Sequence, residues 1–111
     1  MKKTALIAIC LSVFCLVNLA WGGMLLKKTT KLAESGNANA QYNIGLMYYN
    51  GDGVPKNLIK AYVWWSIASA NGDEDSKEWL EELRTEMTPQ QISQAQNEAA
   101  ELWKRINKSK K

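Results

Sequence analysis

The chain contains no histidine, only two cysteines and only two prolines in 111 residues. Without histidine there can be no Ser-His-Asp or Cys-His catalytic pair and no His-ligated zinc. Alternating Val, Ile and Thr runs are also missing, so nothing reads as a strand. The length excludes a Rossmann domain or a TIM barrel and leaves room for one small domain. Charge of one sign is scarce: 14 Lys plus Arg against 11 Asp plus Glu give +3, too weak for a dedicated nucleic-acid binder.

What is present begins with a leader. Lys2 and Lys3 form a positive start, and the chain then runs uncharged from Thr4 to Leu26. Ala5 to Leu19 is an apolar core, and Ala20-Trp21-Gly22 puts small residues at positions −3 and −1 before Gly23. This is the plan of a secretory signal peptide cleaved after Gly22. Neither Cys10 nor Cys15 follows the Leu-x-small-Cys order of a lipidation box. The alternative is an uncleaved inner-membrane anchor over residues 4–26, since about 20 apolar residues span a bilayer. Asn18 and Gly22-Gly23 weaken that alternative. Either way the remainder is expected outside the cytoplasm, periplasmic or secreted, with membrane contact only if the leader is retained. Losing residues 1–22 removes Cys10, Cys15, Lys2 and Lys3, which leaves 89 residues without cysteine at a net charge of +1. A disulfide-free exported domain of that size must rely on its packed core or on association, so a homo-oligomer is an open expectation.

The mature part reads as helices. Lys27 to Ser35 is a short helix or a frayed lead-in, stopped by Gly36-Asn37. Asn37 caps a helix over 38–50, with Ala40, Ile44, Met47 and Tyr48 on one apolar face. Gly45 beside that face costs about 1 kcal/mol of helix propensity, which predicts close approach of a second helix. Gly51 to Asn57 is a turn; Val54 stands where a calcium loop needs oxygen, and no Glu closes the loop. A second helix over 58–70, capped by Asn57 and ended by Asn71-Gly72, is apolar on several sides and so must be packed on several sides. The third is placed at 76–86 with Asp75 as cap and Trp79, Leu80, Leu83 and Met87 inward. Thr88-Pro89-Gln90-Gln91 starts a fourth, expected to end at Lys104 or Ile106 and to bury Ile92, Ala95, Ala99, Leu102, Trp103 and Ile106.

Residues 38–57 carry Ala40, Ile44-Gly45-x-x-Tyr48 and Gly51-x-Gly53-Val54; residues 60–72 carry Lys60-Ala61, Trp65, and Ala68 to Gly72. Together they closely resemble one Sel-one-like repeat, a relative of the tetratricopeptide repeats, with Ile44 for the usual leucine and Asn57 for the usual aspartate. The structural positions of the repeat are Ala40, Ile44, Gly45, Tyr48, Gly51, Gly53, Ala61, Trp65, Ala68 and Gly72. Leu32 to Gly36 is similar to the tail of a truncated earlier unit, and Met87 to Gln96 to a segment that closes such proteins. The resemblance implies an all-α fold, a short α-solenoid of two antiparallel hairpins. The organisation expected is a leader 1–22, a lead-in 23–37, the repeat 38–72, a capping helix pair 73–106 and a basic tail 107–111.

The family implies a non-catalytic binding scaffold or adaptor, here with protein partners in a bacterial cell envelope. No catalytic residue, cofactor or metal is expected, and no nucleic acid. Asn39, Tyr42, Leu46, Tyr49 and Asn50 fall opposite the apolar face of the first full helix, the side that lines the concave groove in related repeats. They are the expected protein-binding face, with packing against a neighbouring helix as the alternative. An inhibitor or immunity-type protein that blocks an envelope enzyme or toxin is the alternative function. A cell-wall enzyme using the seven acids of Asp73 to Glu86 is a weaker one, because acids on the polar side of a helix are ordinarily solvated. Trp64-Trp65 reads as packing, with at least one ring in the core.

Overall fold

A computed structural model describes residues 24–109. The expected leader, and all of the alternative anchor except 24–26, lie outside this range, as do Lys110 and Lys111. Five helical segments make up the described chain: α1 over residues 24–34, α2 (Ala38–Asn50), α3 (Leu58–Ala70), α4 (Glu74–Glu86) and α5 (Pro89–Ser109). None of the described helices is long and apolar enough to cross a membrane.

Side-chain caps set most of the boundaries. Asn37 Oδ1 accepts from the Ala40 N–H at 3.0 Å, and Asn57 Oδ1 from the Lys60 N–H at 3.0 Å. Each satisfies one of the donors that a helix start leaves open. Gly51 closes α2 in the left-handed region (φ 68, ψ 38) and returns its N–H to the Met47 carbonyl. A side chain would be strained in that conformation. At α5 the box is reciprocal: the Thr88 N–H donates to Gln91 Oε1 at 3.0 Å, and the Gln91 N–H to Thr88 Oγ1 at 3.2 Å.

Two boundaries differ from the sequence reading. Helix α4 starts at Glu74, and its cap is Asp73, not Asp75. One carboxylate oxygen of Asp73 accepts both the Ser76 N–H at 2.8 Å and the Ser76 hydroxyl at 2.6 Å. Ser76 is fully buried, so the cap also satisfies a hydroxyl that would otherwise lose its water. Helix α5 runs on to Ser109 because Ile106 still packs on the core (3% exposed) and no Gly or Pro intervenes. The first basic residues of the expected tail are therefore the last helical turn, where Lys108 suits the helix dipole.

Helix α3 is the centre of the fold. Helices α2, α4 and α5 all pack on it, which explains why Ala61, Tyr62, Val63, Trp64, Trp65, Ile67 and Ala68 are all buried. Both tryptophans enter the core, Trp65 at 0% exposure and Trp64 at 8%. The inward stripes of α4 (Leu80, Leu83, Met87) and α5 (Ala95, Ala99, Leu102, Ile106) complete it.

One buried polar side chain ties three segments together. Gln41 is fully buried. Its Nε2 donates to the Ala33 carbonyl at 2.9 Å, and its Oε1 accepts from Asn71 Nδ2 at 2.9 Å. It thereby links the end of α1 and the end of α3 to α2. Gln41→Leu keeps the bulk but removes both bonds, leaving the Ala33 carbonyl with only the Gly36 N–H (3.1 Å) and Asn71 Nδ2 without its acceptor, and is expected to cost about 1–2 kcal/mol in urea unfolding. A change near zero would mean that water replaces the amide.

Candidate protein-binding face

The stripe opposite the core face of α2 is placed as follows. Asn39 and Asn50 are exposed, and Tyr42, Leu46 and Tyr49 are half-buried. These positions recur at three- to four-residue spacing, so they share one side of the helix. The repeat's structural positions go elsewhere. Ala40, Ile44, Ala61, Trp65 and Ala68 are buried, Tyr48 is half-buried against the core, and Gly51, Gly53 and Gly72 sit in the connections after α2 and α3.

Gly45 is the contact point between the two helices of the repeat. A Cβ built on it would lie 2.1 Å from Trp65 Nε1 and 2.4 Å from Trp65 Cδ1. The indole thus lies directly on the α2 backbone. Its N–H donates to the Tyr42 carbonyl at 3.1 Å. Tyr42 therefore contributes its backbone to the core while its side chain remains on the outer stripe.

Tyr49 is partly committed inside the chain. Its ring lies 5.6 Å from Trp65 and 5.2 Å from Trp79 of α4, and the two indoles stack at 5.2 Å. The three rings meet where α2, α3 and α4 converge, at separations typical of favourable aromatic pairs. The Tyr49 hydroxyl donates to Glu86 Oε1 at 2.8 Å, and Lys56 Nζ lies 5.5 Å from the ring centre. Trp79 and Glu86, which the sequence reading assigned to a core stripe and to a solvated face, thus border the α2 stripe. Periodicity along one helix could not reveal this, because it is a contact between helices.

The acceptor on Glu86 holds the Tyr49 phenol proton, so its pKa rises; burial and the charges of Glu86 and Glu82 push the same way. Because the folded value lies above the unfolded one, this contact stabilises the fold below the ordinary tyrosine range near 10 and is lost as pH rises through the folded value. In an alkaline titration, Tyr49 is expected to ionise above the ordinary tyrosine value. Glu86→Gln should lower its pKa. Identical titration of both proteins would refute the contact.

The geometry offers a partner an aromatic and aliphatic strip edged by asparagine amides on α2 and by carboxylates on α4. That is the make-up of a recognition surface, in which aromatic anchors are rimmed by polar groups. Among the described residues, no three or more His, Cys, Asp or Glu side chains group so as to hold a metal ion.

Residues 38–73 match the Sel1 repeat family. Over 69 residues, 61% of the chain, the sequence is 38% identical to the secretory immunoglobulin A-binding protein EsiB of Escherichia coli O6:H1, and spans 14% of that protein. The fold matches the crystal structure of c5321, a protective antigen present in uropathogenic Escherichia coli strains and displaying an SLR fold. The TM-score is 0.62 at 26% identity, covering 82% of this chain and 24% of that one. The chain thus spans about a quarter or less of the length of these two relatives. The repeat motif over α2 and α3, the close packing at Gly45 and the all-helical fold agree: residues 38–73 carry a Sel1 repeat, and the chain is similar to proteins that display the SLR fold.

Proposed function

We propose that this is an exported protein-interaction module of the bacterial envelope, binding a protein partner without catalysis. Its contact surface is the outer stripe of α2, namely Asn39, Tyr42, Leu46 and Asn50, continued by Tyr49 and by Trp79 of α4. One observation carries this reading: Tyr42 and Leu46 are half-buried, packed against the core at one edge and accessible at the other, on a helix whose opposite side is fixed in the core. Large side chains held on a rigid frame give up little entropy on binding, which suits them as anchors. Both similar proteins belong with this reading, since one is named for binding an immunoglobulin and the other is a protective antigen with the same fold. Export rests on the leader pattern of residues 1–22.

The test is capture from envelope extract by the wild-type chain and by Tyr42→Ala with Leu46→Ala. The truncated chain keeps the bond from Trp65 to the Tyr42 carbonyl, and because both side chains also pack at the core's edge, an unchanged circular dichroism spectrum must accompany the capture result. Loss of anchor side chains at an interface costs about 2 kcal/mol or more each, so recovery of the specific partner should fall at least tenfold. Equal recovery would sink this face as the contact surface.

A further inference from the structure

A second surface lies on α1. Among the described residues, the large apolar side chains that stand exposed are Met24 (75%), Leu25 (58%) and Leu32 (52%), all on this one helix. At 100° per residue they fall within one arc of about 100°. Leu26 and Ala33 point the other way, into the core. The same outer side carries Lys27, Lys28 and Lys31, all exposed, against one acid, Glu34. More cations lie close by, because the end of α1 and the last turns of α5 border one cavity of about 190 Å³ lined by Glu34, Leu102, Arg105, Ile106 and Ser109. Arg105, which lines it, is exposed, as is Lys108 one turn further along α5. No salt bridge among the described residues neutralises Lys27, Lys28, Lys31, Arg105 or Lys108. The acids of the molecule are concentrated instead on α4.

We infer that the outer face of α1 docks on an anionic lipid bilayer. A soluble partner could use the apolar face or the cations; a bilayer surface uses both at once. Apolar side chains enter the headgroup boundary while lysines, whose aliphatic stems reach past the apolar strip, place their charge among lipid phosphates. The chain outside the described range also ends here: the uncharged run from Thr4 leads directly into Met24 and Leu25. Whether or not the leader is retained, the first folded helix presents the surface that a membrane would meet.

The test uses the full chain with Cys10→Ser and Cys15→Ser, carrying an environment-sensitive fluorophore at Leu32→Cys or, separately, at Asp75→Cys on α4. Vesicles rich in phosphatidylglycerol should blue-shift the probe at 32 and leave the probe at 75 unchanged. Phosphatidylcholine vesicles should shift neither, even if the leader inserts in both. Replacing Lys27, Lys28 and Lys31 by Gln should weaken the response about fivefold per charge removed, and high salt should abolish it. An absent shift at 32 with anionic vesicles would overturn the proposal. So would an equal shift with phosphatidylcholine, which reports leader insertion alone. A shift that grows with protein concentration in the absence of lipid would overturn it too, and would assign the face to a second copy of the chain.

Discussion

Trp65→Ala is expected to unfold the domain, or leave it folded only in part, at 25 °C. Trp65 is fully buried, stacks on Trp79, touches Tyr49 and donates to the Tyr42 carbonyl. Truncating a buried aromatic of this size costs about 3–5 kcal/mol in lost contacts and cavity. It also leaves the carbonyl of Tyr42 without the indole donor. A domain of this length holds only about 5–10 kcal/mol in all, so most of its stability is at stake. The measurement is urea unfolding followed by near-ultraviolet circular dichroism. The expected result is a midpoint near zero denaturant or loss of the aromatic signal altogether. A shift under 1 kcal/mol would show that Trp65 is not the pin of the repeat.

Gly45→Ala should destabilise the protein even though it improves the helix. In a solvated helix the change gains about 1 kcal/mol. Here the new Cβ would meet three indole atoms at 2.1, 2.4 and 2.6 Å. The ring cannot retreat without leaving its bond to Tyr42 and its stack on Trp79. Overpacking costs about 1–3 kcal/mol, sometimes more, and the displaced hydrogen bond about 1 more. The net expectation is a loss of about 1–3 kcal/mol once the propensity gain is subtracted. Because the two effects have opposite signs, the sign of the result is itself informative. A double-mutant cycle with Trp65→Phe sharpens it. The smaller ring lacks the nitrogen nearest to Gly45, so Gly45→Ala should cost less in that background. Additive costs would mean that the two residues do not meet.

These two residues also show what could be read from the sequence. A glycine inside an otherwise good helix signalled close approach, and the partner proved to be a tryptophan that the repeat pattern had already marked. Caps at Asn37, Asn57 and Thr88 were legible because short polar side chains at helix starts have one dominant use. The start of α4 was not, because two aspartates, Asp73 and Asp75, can each cap; only the buried Ser76 decides between them. Gln41 gave no signal, since its burial depends on the ends of two other segments. Tyr49 is the instructive residue of the site. Spacing put it opposite the apolar face of α2, but its ring meets Trp65 of α3 and Trp79 of α4, which make that end of the stripe an aromatic junction. Single-helix periodicity tells which residues leave the first core contact. It does not tell which of them a later helix will cover.

That distinction narrows the proposed recognition surface to the part of the stripe from Asn39 through Leu46, with Asn50, Trp79 and Glu86 at its far edge. The α4 carboxylates beside it favour a partner with positive charge near its apolar anchors. The most direct measurement is an amide chemical-shift titration of the isotopically labelled chain with the captured partner. The largest changes are expected at Asn39, Tyr42, Leu46 and Asn50 and at the indole N–H of Trp79. Changes concentrated on Asn97, Glu98 and Glu101 of α5, with α2 silent, would contradict the assignment of function to this face.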